Sequence, residues 1–310
     1  MTQPKIFIIA SRTGQLGNRI CLFAHFIAYA IEHNILIVNP AFYNYAEFFQ
    51  TTGQDVFCRY PEKASLIKGN QFIRHIFHAT ILALVKVRLF KVVDVNMESV
   101  PLLPKHEYSL ETQDFENSIQ TNNFVVFKGW SFRSNKNCIK HADLIRDYFK
   151  PAKENAVNVF KLIRKSRETC DILVGIHIRH GDYKEFLDGK HYYSIENYVN
   201  LMRQFSSLFL DKKVKFLICS NASFNSEDFL GIDTVLSTNH IIEDMYALAE
   251  CDYIIGPPST YTTWASFYGK VPLYKIFDLD IPLAINNFKV YLPGGYYTRG
   301  IEEFESLHDC

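Results

Sequence analysis

Hydrophobic and polar positions fall into short blocks along this chain. Ile6 to Ala10 is a continuous apolar run of strand length, and the polar, glycine-containing stretch Ser11 to Asn18 (SRTGQLGN) reads as a turn. Arg19 to His33 is apolar almost all round, through Ile20, Leu22, Phe23, Phe26, Ile27 and Ile31, which predicts a buried helix, and Ile35 to Val38 predicts a second buried strand. The same order returns after Pro151. There the pattern predicts strand Ile172 to Ile178, polar loop His180 to Asp182, a helix from Ser194, and strand Val214 to Cys219. It continues with helix Glu243 to Cys251, strand Tyr253 to Ile255, loop Gly256 to Thr260, a helix to Tyr268, and strand Val271 to Tyr274. Buried strands alternating with helices make a parallel α/β layer, and two such layers in tandem are the simplest architecture. The charge-rich helical stretch KENAVNVFKLIRKSRE lies between them, so the expected domains are 1–166 and 167–310.

Length agrees: 310 residues suit two domains. Hydrophobic residues at 48% and charged ones at 21% exclude a disordered or low-complexity chain. The 33 Lys and Arg balance 33 Asp and Glu, so no overall field draws the molecule to nucleic acid, and none is expected as a partner. Aromatic content is 15%, which serves either a packed core or surfaces that stack on sugars. The seven cysteines are scattered without a C-x-x-C pair, which argues against a disulfide framework or a zinc site and for a reducing, cytoplasmic setting. The first apolar run is too short for a signal peptide or a membrane span, so secretion is not expected. Lys63 to Lys91 carries six basic residues (Lys63, Lys68, Arg74, Lys86, Arg88, Lys91) and no acidic one, interleaved with apolar side chains. That stretch has two readings: a core helix with a solvated basic face, or a helix in peripheral contact with a membrane surface.

Candidate chemistry concentrates at two strand ends. Ile172 to Tyr183 reads ILVGIHIRHGDY, and side-chain alternation puts His177 and Arg179 on one face and Ile176 and Ile178 on the other. Arg179 then stands at the carboxyl edge of a parallel sheet, where ligands bind, and its fork matches phosphate oxygens. The plainer alternative is an Arg179 ion pair with Asp182 or Asp171. Further on, an acidic residue near one helix start (Asp244) precedes a buried strand and then Ser259-Thr260, which open the next helix. Hydroxyls and unpaired backbone N–H groups at a helix N-terminus suit an anion, although Ser259 as a simple N-cap looks the same.

These residues also carry a resemblance. His177-Ile-Arg179-His180-Gly181-Asp182 resembles the H-x-R-R-x-D signature of the α-1,2-, α-1,6- and protein O-fucosyltransferases, and HIRHGDY is most similar to the α-1,2 enzymes of glycosyltransferase family 11. Gly14-Gln-Leu-Gly17-Asn18-Arg19 is similar to that family's G-x-L-G-N-Q opening, Gly129-Trp130-Ser-Phe132 to its aromatic block, and Ser259-Thr260-Tyr-Thr-Thr-Trp264 to its S-T-F-S-W-W block. Asp244 stands fifteen residues before Ser259, as the guanine-binding Asp does in the α-1,6 enzymes. The four motifs keep their order over Ile6 to Tyr274.

The resemblance implies an α/β fold of GT-B-like type, two Rossmann-like domains facing a central cleft, and transfer of L-fucose from GDP-fucose to a glycan hydroxyl. Inversion without a metal, an α-1,2 link, an oligosaccharide or glycolipid acceptor, and no cofactor beyond the donor substrate follow from it. In this reading Arg179 holds the β-phosphate, His177 lies near the base or ribose, Asp244 accepts from guanine N1 and N2, and Ser259 and Thr260 hold phosphate oxygens. Gly17, Asn18, Arg19 and Trp264 belong to the cleft and acceptor side. His180 replaces the second Arg of the signature, so a permanent charge becomes an imidazole. A carboxylate to take the acceptor proton is sought in Glu185 first, then Asp182 and Asp188.

Competing patterns are weaker. Asp278-x-Asp280 resembles a metal-binding D-x-D, but only thirty residues follow it. His177, His180, Asp182 and His191 lack recognised metal-ligand spacing. A transferase of another GDP-sugar, or a non-catalytic protein of the same fold that binds sugar nucleotides or glycans, also fits the motifs.

Overall fold

The computed structural model describes residues 5–63, 65, 69–94 and 107–295. Contacts divide the chain into two units between Lys153 and Glu154. The first contains β1 (Ile6–Ile9), α1 (Leu16–His33), β2 (Leu36–Val38), β3 (Arg59–Tyr60), α2 (Gln71–Lys86), β4 (Lys91–Asp94), β5 (Tyr108–Ser109), α3 (Gln113–Ile119), β6 (Phe124–Lys128), β7 (Phe132–Arg133), α4 (Asn135–Lys140) and α5 (Ala142–Tyr148). Its main sheet runs β3-β2-β1-β6-β4, parallel except that β3 opposes β2, with Ile8 of β1 beside Val38 on one side and Val126 on the other.

Helix α1 starts at Leu16, earlier than the apolar pattern predicts, because Gly14 turns the chain at φ +65°. A Cβ at Gly14 would stand 2.0 Å from Asn18 Nδ2, so only glycine lets the turn close on the helix. From Leu16 to Ala30 the helix is buried on every side except at Asn18. Around it Phe7 stacks on Tyr29 and meets Phe26, Phe115 and Phe127, so these rings form core. Burial of each such side chain contributes about 1.5–3 kcal/mol before entropy is counted.

Lys63 to Lys91 corrects one expectation. Arg74 is not on a solvated basic face: it is buried, with its guanidinium on the carbonyls of Thr52 and Gly53 and on Glu47. Ile81 and Val85 of the same helix enter the core, while Phe72 and Ile76 are exposed; Lys68 lies outside the described residues.

The second unit contains α6 (Lys153–Arg167), β8 (Ile172–Ile178), α7 (Ile195–Ser207), β9 (Val214–Ser220), β10 (Thr234–Leu236), α8 (Ile241–Leu248), β11 (Tyr253–Gly256), α9 (Thr260–Gly269) and β12 (Leu273–Lys275). All five strands are parallel in the order β10-β9-β8-β11-β12. Helix α6 goes with this unit. Asn155 and Asn158 donate to Glu243 Oε1 at 3.0 and 2.7 Å, and Arg167 forks onto Asp252 at 2.9 and 3.1 Å. The division therefore falls at the start of this helix, where the sequence pattern suggested its end.

The six cysteines among the described residues are free thiols. No helix among those residues is long and apolar enough to cross a membrane.

Candidate functional site

Strand β8 is central in its sheet, with β9 on one side and β11 on the other. Connections leave such a strand in opposite directions, and a crevice opens beyond its carboxyl end. Ile176 and Ile178 point into the core beside Met202 and Phe205 of α7, as the alternation required. His177 points the other way and stacks on Tyr261 of α9, ring centres 4.8 Å apart. Burial, with the Arg179 charge adding to it, pushes His177 down to about 3, so its imidazole is neutral at neutral pH.

Arg179 follows directly. Its Nε donates to Asp182 Oδ1 at 2.9 Å and its Nη2 to Oδ2 at 2.7 Å, and the guanidinium lies 5.0 Å from the centre of the Tyr183 ring. Burial alone would lower the arginine, but the bonded Asp182 outweighs it and the pKa is raised; Asp182 is correspondingly lowered by Arg179. Tyr183 itself donates from its hydroxyl to the Pro258 carbonyl at 3.1 Å, tying this loop to the one that opens α9.

The rest of the loop is held by residues the motif did not name. Asn221 Oδ1, just past β9, accepts from the backbone N–H of His180 at 3.0 Å and of Gly181 at 3.4 Å. His180 Nε2 donates to the Tyr193 carbonyl at 2.8 Å, and its ring packs on Tyr192 and Phe224. Glu185 is exposed after the short 3-10 turn Asp182–Lys184, and Asp188 is exposed in a left-handed turn shared with Leu187 and Gly189.

On the same edge, Asp244 in the first turn of α8 is buried and accepts from the Ser237 hydroxyl. Burial is the main cause that lifts its carboxyl to about 7, against the lowering effect of Ser237. Tyr261 feels the charges of both Asp244 and Arg179, and its hydroxyl donates to the Ile241 carbonyl at 2.7 Å. Asp244, His177, Arg179 and Tyr261 thus converge. Neighbouring Glu243 is spent on structure, through Asn155, Asn158 and the N–H of His240.

Ser259 caps α9, its Oγ accepting from the Thr262 N–H at 3.1 Å, and its carbonyl accepts from the Thr263 hydroxyl at 2.7 Å. Both Ser259 and Thr260 are buried where α9 opens after β11. Trp264 corrects an expectation: it is 0% exposed and packs with Phe267 and Tyr268, a core residue of the second unit and not a cleft surface.

In the first unit Gly17 and Asn18 form the opening turn of α1, next to the end of β1. Arg19 is largely committed to structure: Nε and Nη2 donate to the Gly14 carbonyl at 3.2 and 3.1 Å, and Nη1 to the Ala41 carbonyl at 3.2 Å. Asp278 and Asp280 form an exposed turn, with the Asp280 N–H on Asp278 Oδ1 at 2.9 Å. Among the described residues no three His, Cys, Asp or Glu side chains gather as a metal site.

No protein-family profile matches this chain, and no curated protein matches it. Solved structures do. A mutant of Arabidopsis thaliana FUT1 in complex with GDP is 13% identical, with a TM-score of 0.56 over 88% of this chain and 71% of that one. Fucosyltransferase NodZ from Bradyrhizobium is 18% identical, with a TM-score of 0.55 over 91% of this chain and 98% of that one. NodZ alpha-1,6-fucosyltransferase soaked with GDP-fucose is 17% identical, with a TM-score of 0.53 over 94% and 97%. At such identities the likeness is one of fold: two parallel α/β units, in the GT-B type that this chain shares with solved fucosyltransferases.

Proposed function

We propose that the chain moves L-fucose from GDP-fucose to a glycan hydroxyl, with inversion at the sugar carbon, without a metal, and forming an α-1,2 link. The observation that carries this reading is Arg179 at the carboxyl end of the central strand β8, with buried Asp244 and the N-terminus of α9 on the same edge. The HIRHGDY resemblance and the GDP or GDP-fucose named for structures of like fold support it. The α-1,2 assignment rests on the sequence resemblance alone.

In this reading the chemistry is electrostatic. Breaking the bond between sugar and phosphate leaves an oxocarbenium-like carbon and returns negative charge to the diphosphate. Arg179 and the backbone N–H groups opening α9 receive that charge, and Asp244 accepts from the N1 and N2 donors of guanine. The donor displaces Asp182 from the guanidinium, and the carboxylate so released takes the acceptor's proton, a role for which exposed Glu185 has no such neighbour.

The test is a panel of GDP-, UDP- and CMP-sugars, read by melting temperature and by transfer in excess EDTA. GDP and GDP-fucose should stabilise the protein far more than the others. Equal stabilisation by UDP sinks the donor assignment.

One observation favours a second reading, a non-catalytic GDP-sugar-binding protein: His180, which stands where the signature has its second Arg, is held on the Tyr193 carbonyl. Absence of both transfer and slow GDP-fucose hydrolysis, with GDP binding intact, selects it. Contact of α2 with an anionic membrane near a lipid-linked acceptor belongs to the first reading, since exposed Phe72 and Ile76 share that helix with exposed Lys86. Co-sedimentation with phosphatidylserine vesicles that weakens with salt supports it, and absence of binding removes it.

A further inference from the structure

The two units place an arginine at corresponding points. In the first unit β1 is the central strand, with β2 and β6 on its two sides, just as β8 lies between β9 and β11. Its carboxyl end is therefore the crevice of that sheet. Arg12 stands there, exposed, with Nη1 donating to the Tyr43 hydroxyl at 2.6 Å and the guanidinium over the Tyr43 ring at 4.9 Å. The same ring borders exposed His75 at 5.2 Å and buried His78 at 5.5 Å, and His78 Nε2 donates to the Ala10 carbonyl at 2.9 Å. Arg19 lies beside them, its guanidinium 5.2 Å from the Tyr45 ring centre.

The charge at this crevice is of one sign. Burial lowers His78, and the groups whose charge acts on it, Arg12, His75 and Arg19, all lower it further. Arg19 is likewise lowered, chiefly by burial, with Arg12 lowering it too against the raising effect of Tyr45 and Tyr43. Two carboxylates of the same unit are engaged elsewhere, Glu47 with Arg74 and Asp55 with Arg59. The Arg12 guanidinium and the exposed His75 imidazole thus share one tyrosine ring, an arrangement that an anion can bridge.

We propose that this crevice binds an acidic saccharide, with its carboxylate or phosphate held by Arg12 and His75 on the Tyr43 platform. That the anion is carried by a saccharide rests on the transferase reading, in which the acceptor meets the first unit; the anion site itself does not. A neutral glycan offers no charge to complement the Arg12 guanidinium, so the acceptor class is acidic.

The test is an NMR pH titration of the His75 imidazole, assigned with His75→Gln, in glucuronic acid, glucose 1-phosphate and glucose. The acids should raise its midpoint by about 0.5 unit or more, because a bound anion favours the charged ring, and glucose should not. The acid that shifts it more identifies carboxylate or phosphate as the preferred group. Arg12→Gln should abolish the shift while leaving the rise in melting temperature with GDP unchanged. If all three sugars leave His75 alike, or if the shift survives Arg12→Gln, the anion site is refuted. If the acids bind here but GDP does not stabilise the protein, the site stands and the transferase reading fails; the reverse result removes this site alone.

Discussion

Arg179 turns its fork onto Asp182, three residues ahead, with both N–H···O bonds under 3 Å. The guanidinium is thus closed on its own chain. Asp182 is about half exposed, at 49%, and such partly solvated pairs are worth only about 0–1 kcal/mol. In the proposed reading a diphosphate with several oxygens displaces it.

Removing the competitor should help the ligand. Asp182→Asn is expected to tighten GDP binding by up to about fivefold, the equivalent of about 1 kcal/mol. It should lower transfer at the same time, because position 182 then has no carboxylate to take a proton. Calorimetric titration with GDP, beside a transfer assay, separates the two effects; weaker GDP binding would mean that Asp182 orients Arg179 for its ligand.

Arg179→Ala should reduce transfer by about 10²-fold or more, the scale seen when one preorganised donor to a developing charge is lost. Arg179→Lys should recover little, since a point charge lacks the fork. Near-normal turnover in either variant would contradict a role at the leaving phosphate.

With Asp244 as the proposed guanine reader, GDP recognition should depend on pH. Burial pushes its carboxyl up to about 7, and in the proposed reading only the ionised form accepts two guanine donors. Affinity should then fall by about tenfold per unit as pH drops below that value. The sign for stability is opposite. A folded-state pKa raised above the ordinary 3.8 contributes stability that is present in acid and lost as pH rises through about 7. Asp244→Asn should consequently bind GDP weakly without this pH dependence, and melt higher than wild type at pH 8 when empty.

His180 is fixed by a carbonyl and two rings, so its contribution is to the shape of the loop. His180→Ala should cost about 1–2 kcal/mol in a denaturant titration. The pH–rate profile of His180→Arg should keep the wild-type shape. Activity sustained only by the Arg variant at alkaline pH would instead assign the imidazole a charge-dependent role.

The Asn221 side chain is the acceptor for two backbone donors of the signature loop. Asn221→Ala should therefore destabilise by about 1–3 kcal/mol and weaken GDP binding, whereas Asn221→Asp, which keeps the acceptor, should restore much of both. Equal loss in the two variants would show that the acceptor is not what the loop needs.

The strands that bear the second site were legible because they are buried on both faces and read as unbroken apolar runs, Ile172 to Ile178 above all. Arg179 and Asp182 could be placed at a strand end for the same reason. Strand β10 was not legible: Thr234 to Leu236 is three residues long and half-buried, too brief for a period to register. Trp264 was misplaced because a tryptophan after a motif looks alike whether it faces a ligand or a core. Asn221, Tyr261, Arg12 and Tyr43 escaped because their roles depend on which strand lies next to which, and a single sequence carries no pairing. Asn221 just after an apolar strand was the faint signal available.

The attachment of α6 to the second unit bears on how the protein can be cut. A fragment opened at Arg167, where the helix ends, would strip Asn155 and Asn158 from Glu243 and uncover the face on which Val159 and Ser166 of the helix are buried. A fragment opened at Lys153 keeps the whole helix as its lid. The first cut should yield insoluble or molten material, and the second a soluble half-molecule suited to isotope labelling.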